Sequence, residues 1–237
     1  MNESLTPTQI DLIRRYKSSD SAVASRHEIQ ILKSNGTKVG FLSPINTSIV
    51  EDKSIMAALS RWRSRYKLFF QSQFDPTPED TRSWLKNIVL KDDTRLLFLI
   101  QTSAGQPIGN FGICHLSASR AELDNLLRGE KGGDPELIYH TEISMIHWIY
   151  QNLGVEQVYL LIFDDNYLTI MMHRSIGFKE VCYHSLYRST KDGKISFTTT
   201  QEDNAPLVKR RLLEMEIQKV DFYKMHSWVQ ELREMKY

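Results

Sequence analysis

Residues 128–134 read Arg128-Gly129-Glu130-Lys131-Gly132-Gly133-Asp134, and Pro135 follows. Three glycines in so short a run let the backbone take positive φ and approach a ligand with no Cβ in the way. A helix opening at Pro135 puts unpaired N–H groups and the positive end of its dipole at the same spot. Together these features make a seat for a phosphate or pyrophosphate. The strand-like residues 121–127 stand just before, so the context is strand, glycine-rich turn, helix. No Gly-Lys-Ser/Thr follows, which excludes a P-loop, and the glycine spacing is not that of a dinucleotide-binding fingerprint.

Downstream of the loop, a helix over 135–152 carries Ile138, Ile143, Ile146 and Ile149, with Gly154 suited to end it. Residues 155–163 form an apolar strand, Asp164-Asp165-Asn166 breaks it, and 167–175 read as a short helix ended by Gly177. Strands are expected over 178–189 and 195–200 around a turn at 191–194, then over 207–217, before a terminal helix over 221–236. Upstream, 96–101 and 108–116 flank a turn at 103–106 as an antiparallel pair. Helices are predicted over 53–66 and 78–90, the second with Thr77 as N-cap and Pro78 at N1. Residues 40–43 with 49–50 read as a first strand, and a short helix starts near Pro7.

Runs of strands broken by helices indicate a mixed α/β sheet with an antiparallel portion. The unit 121–163 is a right-handed crossover, so its two strands are parallel. Ligands in such sheets bind at the carboxyl ends of strands, which here is the glycine loop. We divide the chain into an N-terminal extension (1–37), a main domain (38–217) and a C-terminal helical extension (218–237). The stripe Phe222, Met225, Trp228, Val229 and Leu232 of that extension packs on the core or on a second copy in a homodimer.

At 237 residues the chain can bury a full core. A formal net charge of +1 gives no global pull toward nucleic acid or membrane, and neither partner is expected. No leader pattern and no apolar run of about 18 residues is read, so a cytoplasmic protein is expected. Cys114 and Cys182 are too few for a disulfide framework. A metal site would need His or Cys pairs at short spacing, and no metal is expected. His140 and His147 share a helix face seven residues apart, a spacing that reads as surface or satisfied histidines. Trp62, Phe69, Phe70, Phe74 and Trp84 read as core or interface packing, the Phe-rich loop alternatively as a wall for an acceptor pocket, and 209–211 as the exposed end of a strand.

Three segments together resemble the GNAT superfamily of acyl-CoA-dependent N-acetyltransferases. The 128–133 loop is similar to that family's Arg/Gln-x-x-Gly-x-Gly/Ala pyrophosphate loop. Residues 158–163 followed by Asn166 are similar to the strand and Asn that meet the pantetheine arm. Asn166 with Gly177-Phe178 eleven and twelve residues on is similar to the family's Asn…Gly-Phe block. Trp62, residues 74–78 and Trp84 resemble the ribosomal-protein-acetyltransferase-like branch. The resemblance implies a mixed, mostly antiparallel central sheet with a splayed parallel strand pair and flanking helices. It also implies acetyl-CoA as co-substrate and direct transfer to a primary amine in a ternary complex. The amine belongs to a small molecule, an amino sugar nucleotide or a protein N-terminus. A non-catalytic CoA-binding sensor or subunit is the rival reading, and a nucleotide-binding fold without acyl transfer is a third.

The resemblance also assigns roles. Backbone amides of Lys131, Gly132, Gly133 and Asp134 would hold the pyrophosphate, with Arg128 or Lys131 adding a charge-assisted contact. N–H groups along Asn125, Leu126 and Leu127 would polarise the thioester carbonyl. Glu122, on the strand feeding the loop, or His115, on the strand before it, would take the amine's proton. The family usually places a Tyr seven residues after the Asn to protonate the leaving thiolate; here that residue is His173.

Overall fold

Ten strands join in one sheet among residues 4–18, 27–202 and 204–234, the residues that the computed structural model describes. They are β1 (Ile29–Leu32), β2 (Lys38–Pro44), β3 (Ser72–Gln73), β4 (Leu96–Thr102), β5 (Pro107–Cys114), β6 (Arg120–Arg128), β7 (Gln157–Phe163), β8 (Lys179–Lys191), β9 (Lys194–Thr198) and β10 (Leu207–Gln218). Their spatial order is β1-β2-β4-β5-β6-β7-β10-β8-β9-β3. Only β6 and β7 run parallel; the other neighbours are antiparallel. The mixed, mostly antiparallel sheet with one parallel pair is therefore the observed architecture.

The helices are α1 (Pro7–Lys17), α2 (Lys53–Arg65), α3 (Pro78–Trp84), α4 (Leu137–Asn152), α5 (Tyr167–Ile176), α6 (Lys219–Met225) and α7 (Trp228–Glu234). Strand alternation sorts the apolar side chains between two faces. On β4, Leu96, Phe98 and Ile100 join the main core with Ile13 of α1 and Ile143 and Ile146 of α4. Leu97 and Leu99 point the other way, against Met56, Leu59 and Trp62 of α2. Cover on both faces is why β4 is apolar without alternation. Phe222 and Val229 of the C-terminal helices pack into this same main core. No helix among the described residues is long and apolar enough to cross a membrane.

Several boundaries differ from the sequence reading. Residues 49–50 are not strand; Ile49–Glu51 form a 3-10 turn, because the Asn46 side chain accepts the N–H groups of Ser48 and Ile49 and turns the chain. The helix from Pro78 stays α-helical only to Trp84 and continues as a π-turn over Leu85–Val89. The helix expected from Pro135 starts at Leu137, because Asp134 takes the N–H of Glu136 on its side chain and that of Leu137 on its carbonyl. The terminal helix is two helices broken at His226, whose Nε2 donates to the Ile176 carbonyl at 2.9 Å. Two elements were not foreseen: β1, which pairs with β2, and β3, which pairs with β9. Both are short, and β3 carries too few residues to show a period.

Candidate active site

β6 and β7 pair only at Arg120–Gln157, Ala121–Val158 and Glu122–Tyr159. Beyond Glu122 the two strands diverge, and the β7-facing edge of β6 has no strand partner among the described residues. A bulge in β6 turns it away. Asn110 of β5 pairs with Leu127 and Gly112 with Asp124, so Asn125 and Leu126 together face the single residue Phe111. Asn125 takes a left-handed φ of 57°, and its carbonyl accepts from Asn110 Nδ2 at 2.7 Å. A bulge re-aims backbone groups and ends local pairing, as at many ligand sites.

The split opens a cleft of about 1810 Å³. Glu122, Asn125, Leu126, Leu127 and Arg128 line one wall, and Leu160–Phe163, Asn166, Met172 and His173 the other. Drug-sized pockets are roughly 300–1,000 Å³, so the cleft is larger than one such ligand needs. Asn166 precedes α5 but its side chain does not cap the helix, leaving it free to face the cleft.

The glycine loop closes the mouth, and α2 grips it. Gly129 lies flat on the Trp62 indole: a Cβ there would come within 2.1 Å of Trp62 Cδ2. Trp62 Nε1 and Arg61 Nη2 each donate to Glu130 Oε1 at 2.8 Å, and Arg65 Nη1 donates to the Gly129 carbonyl at 2.8 Å. The Arg61 and Trp62 donors hold the Glu130 carboxyl below its usual range. Arg128 braces the loop from inside, donating to the Gly132 carbonyl at 2.8 Å. Gly132 and Gly133 take positive φ of 130° and 70°. Lys131 lines the cleft and makes no ion pair among the described residues. Gly132, Gly133 and Asp134 lie beyond the cleft walls, at the approach to α4. Asp134 and Glu136 share an ion pair with Lys33.

Two acid–histidine pairs flank the split. His173 is 5% exposed, and its Nδ1 lies 2.7 Å from Oε1 of Glu142, which is fully buried on α4. Glu142 Oε2 has no hydrogen-bond partner among the described residues. A carboxylate on Nδ1 fixes the ring and directs Nε2 as the exchanging nitrogen. The second pair is His115 and Glu122, Nδ1 to Oε2 2.7 Å. His115 has φ 46°, which folds its ring back toward the neighbouring strand. The Glu122 hydrogen bond raises the His115 pKa above the usual value, against partial burial. Glu122 is 8% exposed and lines the cleft; His115 does not line it.

Glu142, Asn110 and Arg63 were not singled out in the sequence. Glu142 carried a signal, a lone carboxylate in an otherwise buried helix stretch. Asn110 and Arg63 carried none. His140 and His147 are buried rather than on the surface, and His147 Nδ1 lies 3.1 Å from the Tyr223 hydroxyl. Phe69, Phe70, Phe74 and Trp84 line the cleft.

This arrangement defines a class of fold in which two parallel strands of one sheet part to open a cleft beside a glycine-rich loop. A GCN5-related N-acetyltransferase from Brucella melitensis is similar at 13% identity and TM-score 0.60, with 86% of each chain covered. FdhC, described as a nucleotide-linked sugar GNAT, is similar at 12% identity and TM-score 0.58, over 82% of this chain and 94% of that one. The spermidine N-acetyltransferase of Vibrio cholerae, solved with CoA and spermine, is similar at 11% and 0.57, over 76% of this chain and 96% of that one. No protein-family model and no curated protein matches the sequence. The chain has the GNAT acetyltransferase fold, as the loop and the Asn166…Gly177-Phe178 spacing implied; nothing in these likenesses singles out the ribosomal-protein branch.

Proposed function

We propose that the protein is an acetyl-CoA-dependent N-acetyltransferase that transfers the acetyl group directly to a primary amine. The observation that carries this reading is the split between β6 and β7, with a bulged strand on one side and His173 on the other. Acetyl-CoA would enter the split. The amides of Lys131, Gly132, Gly133 and Asp134 would hold its pyrophosphate at the N-terminal approach to α4. Asn166 would meet the pantetheine arm, and a β6 N–H at the bulge, among Asn125, Leu126 and Leu127, would bond the thioester oxygen as it gains charge.

The chemistry then needs two proton transfers. The amine must lose a proton, and Glu122 with His115 beside it would receive it. The amine attacks the thioester carbon, the C–S bond breaks, and the thiolate takes a proton from His173, held in place by Glu142. No acyl-enzyme is required on this reading, because one cleft of this volume would hold donor and acceptor side by side.

The cleft supports an acceptor that carries an anionic group. Arg63 lines it, half-buried and stacked 3.4 Å over the Phe70 ring; its Nη2 donates to the Ser72 carbonyl at 2.7 Å, and its Nη1 has no hydrogen-bond partner among the described residues. Burial lowers its pKa to about 10. A half-buried guanidinium with one nitrogen still open suits a phosphate or carboxylate and repels a polyamine. An amino sugar nucleotide has the required chemistry. Release of free CoA thiol from acetyl-CoA should be measured with three acceptor types: an amino sugar nucleotide, a polyamine and a peptide N-terminus. Turnover with the first is expected. Tight acetyl-CoA binding with no thiol release from any amine would favour the non-catalytic CoA-binding module.

A further inference from the structure

Cys182 and His184 lie two residues apart on β8 and so face the same side of the sheet. Cys182 is directly opposite Glu214 on β10. Three donor atoms of different types converge there. Cys182 Sγ is 3.4 Å from His184 Nε2 and 3.7 Å from Glu214 Oε2, and these last two are 2.8 Å apart. None of the three residues lines the cleft. The short spacing absent from the sequence reading, a Cys-x-His pair, is present here.

The geometry points to a divalent metal site of zinc type, formed by Cys182, His184 and Glu214 with water as fourth ligand. Ideal tetrahedral zinc, with bonds of about 2.3 Å to sulfur and about 2.0 Å to nitrogen and oxygen, sets its ligand atoms roughly 3.3–3.6 Å apart. The three observed separations fall within about half an ångström of that. A hydrogen bond between His184 and Glu214 would account for two of the groups. The thiol in turn donates to Glu214 Oε2 at 3.7 Å, so all three groups turn their donor atoms toward one point in the metal-free chain. The donor set selects a borderline-soft ion and disfavours magnesium or calcium, which take oxygen.

The surroundings fit. Arg120 Nη2 lies 3.3 Å from Glu214 Oε1, which orients the carboxylate and leaves Oε2 for the ion. Cys182 is exposed, so both the ion and its water ligand have access. On binding, the thiol gives its proton to solvent, and the neutral imidazole and carboxylate donate lone pairs. The ion would clip β8 to β10 next to the register shift at Glu214/Met215. The other Cys–His–Glu group, at Cys114, His115 and Glu122, is a poorer host. Its thiol is buried, and burial pushes the pKa far above the usual thiol range.

Titration of the untagged, metal-free protein with Co²⁺ tests this. One equivalent is expected, with a thiolate-to-cobalt absorption band. Cys182→Ser should abolish the band and weaken binding by at least about tenfold, and Cys114→Ser should leave both. A second measurement uses the unaltered protein: zinc should slow alkylation of Cys182, read by mass spectrometry. No band with the native chain, a band that survives Cys182→Ser, or alkylation of Cys182 indifferent to zinc would each overturn the site.

Discussion

At the scale of single residues, His173 and Glu142 form a pair whose two halves do different work. Glu142 is fully buried, so its carboxylate depends on His173 for compensation. His173→Leu strands that charge and should cost about 3–5 kcal/mol. His173→Leu combined with Glu142→Leu should recover much of the loss in denaturant unfolding. Turnover should stay depressed in both variants, by about 10²–10⁴-fold, with acetyl-CoA affinity little changed. A double variant as unstable as the single one would contradict the pairing; full turnover in either would exclude the acid role.

The His115–Glu122 pair gives a pH signature. Its hydrogen bond raises the folded-state pKa of His115 above the ordinary value of about 6.5. A raised value means that the pair's stabilisation is fully present below that ordinary pKa and fades as pH rises through the folded one. Where His115 takes the proton its imidazole must first be neutral, so the acidic limb of the rate profile should lie above the ordinary histidine range. Glu122→Gln should move that limb to lower pH. A limb unmoved by Glu122→Gln would take His115 out of the proton path.

At the scale of elements, the glycine loop is set by what α2 presses against it. Gly129 must be glycine for a steric reason: a Cβ would overlap the Trp62 ring, and Trp62 is 1% exposed and tied to Glu130. Neither partner can yield cheaply, so Gly129→Ala should cost about 1–3 kcal/mol. It should also raise the Kd for acetyl-CoA in calorimetry, because the loop is displaced from α4. An alanine variant that binds acetyl-CoA like the parent would separate the loop from the donor site. The sequence showed strand, loop and helix here through composition alone. The clamp was not legible, because α2 lies more than sixty residues away and nothing in its own periodicity marks Trp62 as the floor under a glycine.

At the scale of the molecule, the N-terminal segment is part of the core. Ile13 is fully buried, the Tyr16 hydroxyl accepts from Trp148 Nε1 at 2.8 Å, and Gln9 Nε2 donates to the Leu153 carbonyl at 2.8 Å. Burial of such apolar side chains is worth roughly 1.5–3 kcal/mol each. Deletion of residues 1–18 should therefore lower the Tm clearly and expose Trp148 to solvent, seen as a red shift in fluorescence. A truncated chain that melts with the full one would show α1 to be dispensable. The segment read as an extension because its own pattern is polar. Its apolar residues are few and become core only when the sheet meets them.

By itself the sequence determined the order of the elements other than β1 and β3, the parallel crossover at 121–163 and the glycine turn that begins α4. These are local properties: strand alternation, helical period and residues that permit positive φ are written within a few positions of each other. The tertiary structure decided where β6 and β7 part, which histidine has a carboxylate behind it, and that Cys182, His184 and Glu214 meet. Each depends on strand register, and register brings together residues that are far apart in the chain. Glu142 and His173 are thirty-one positions apart, and Glu214 stands thirty beyond His184. No local pattern marks such a pair until the sheet and its helices have closed on it.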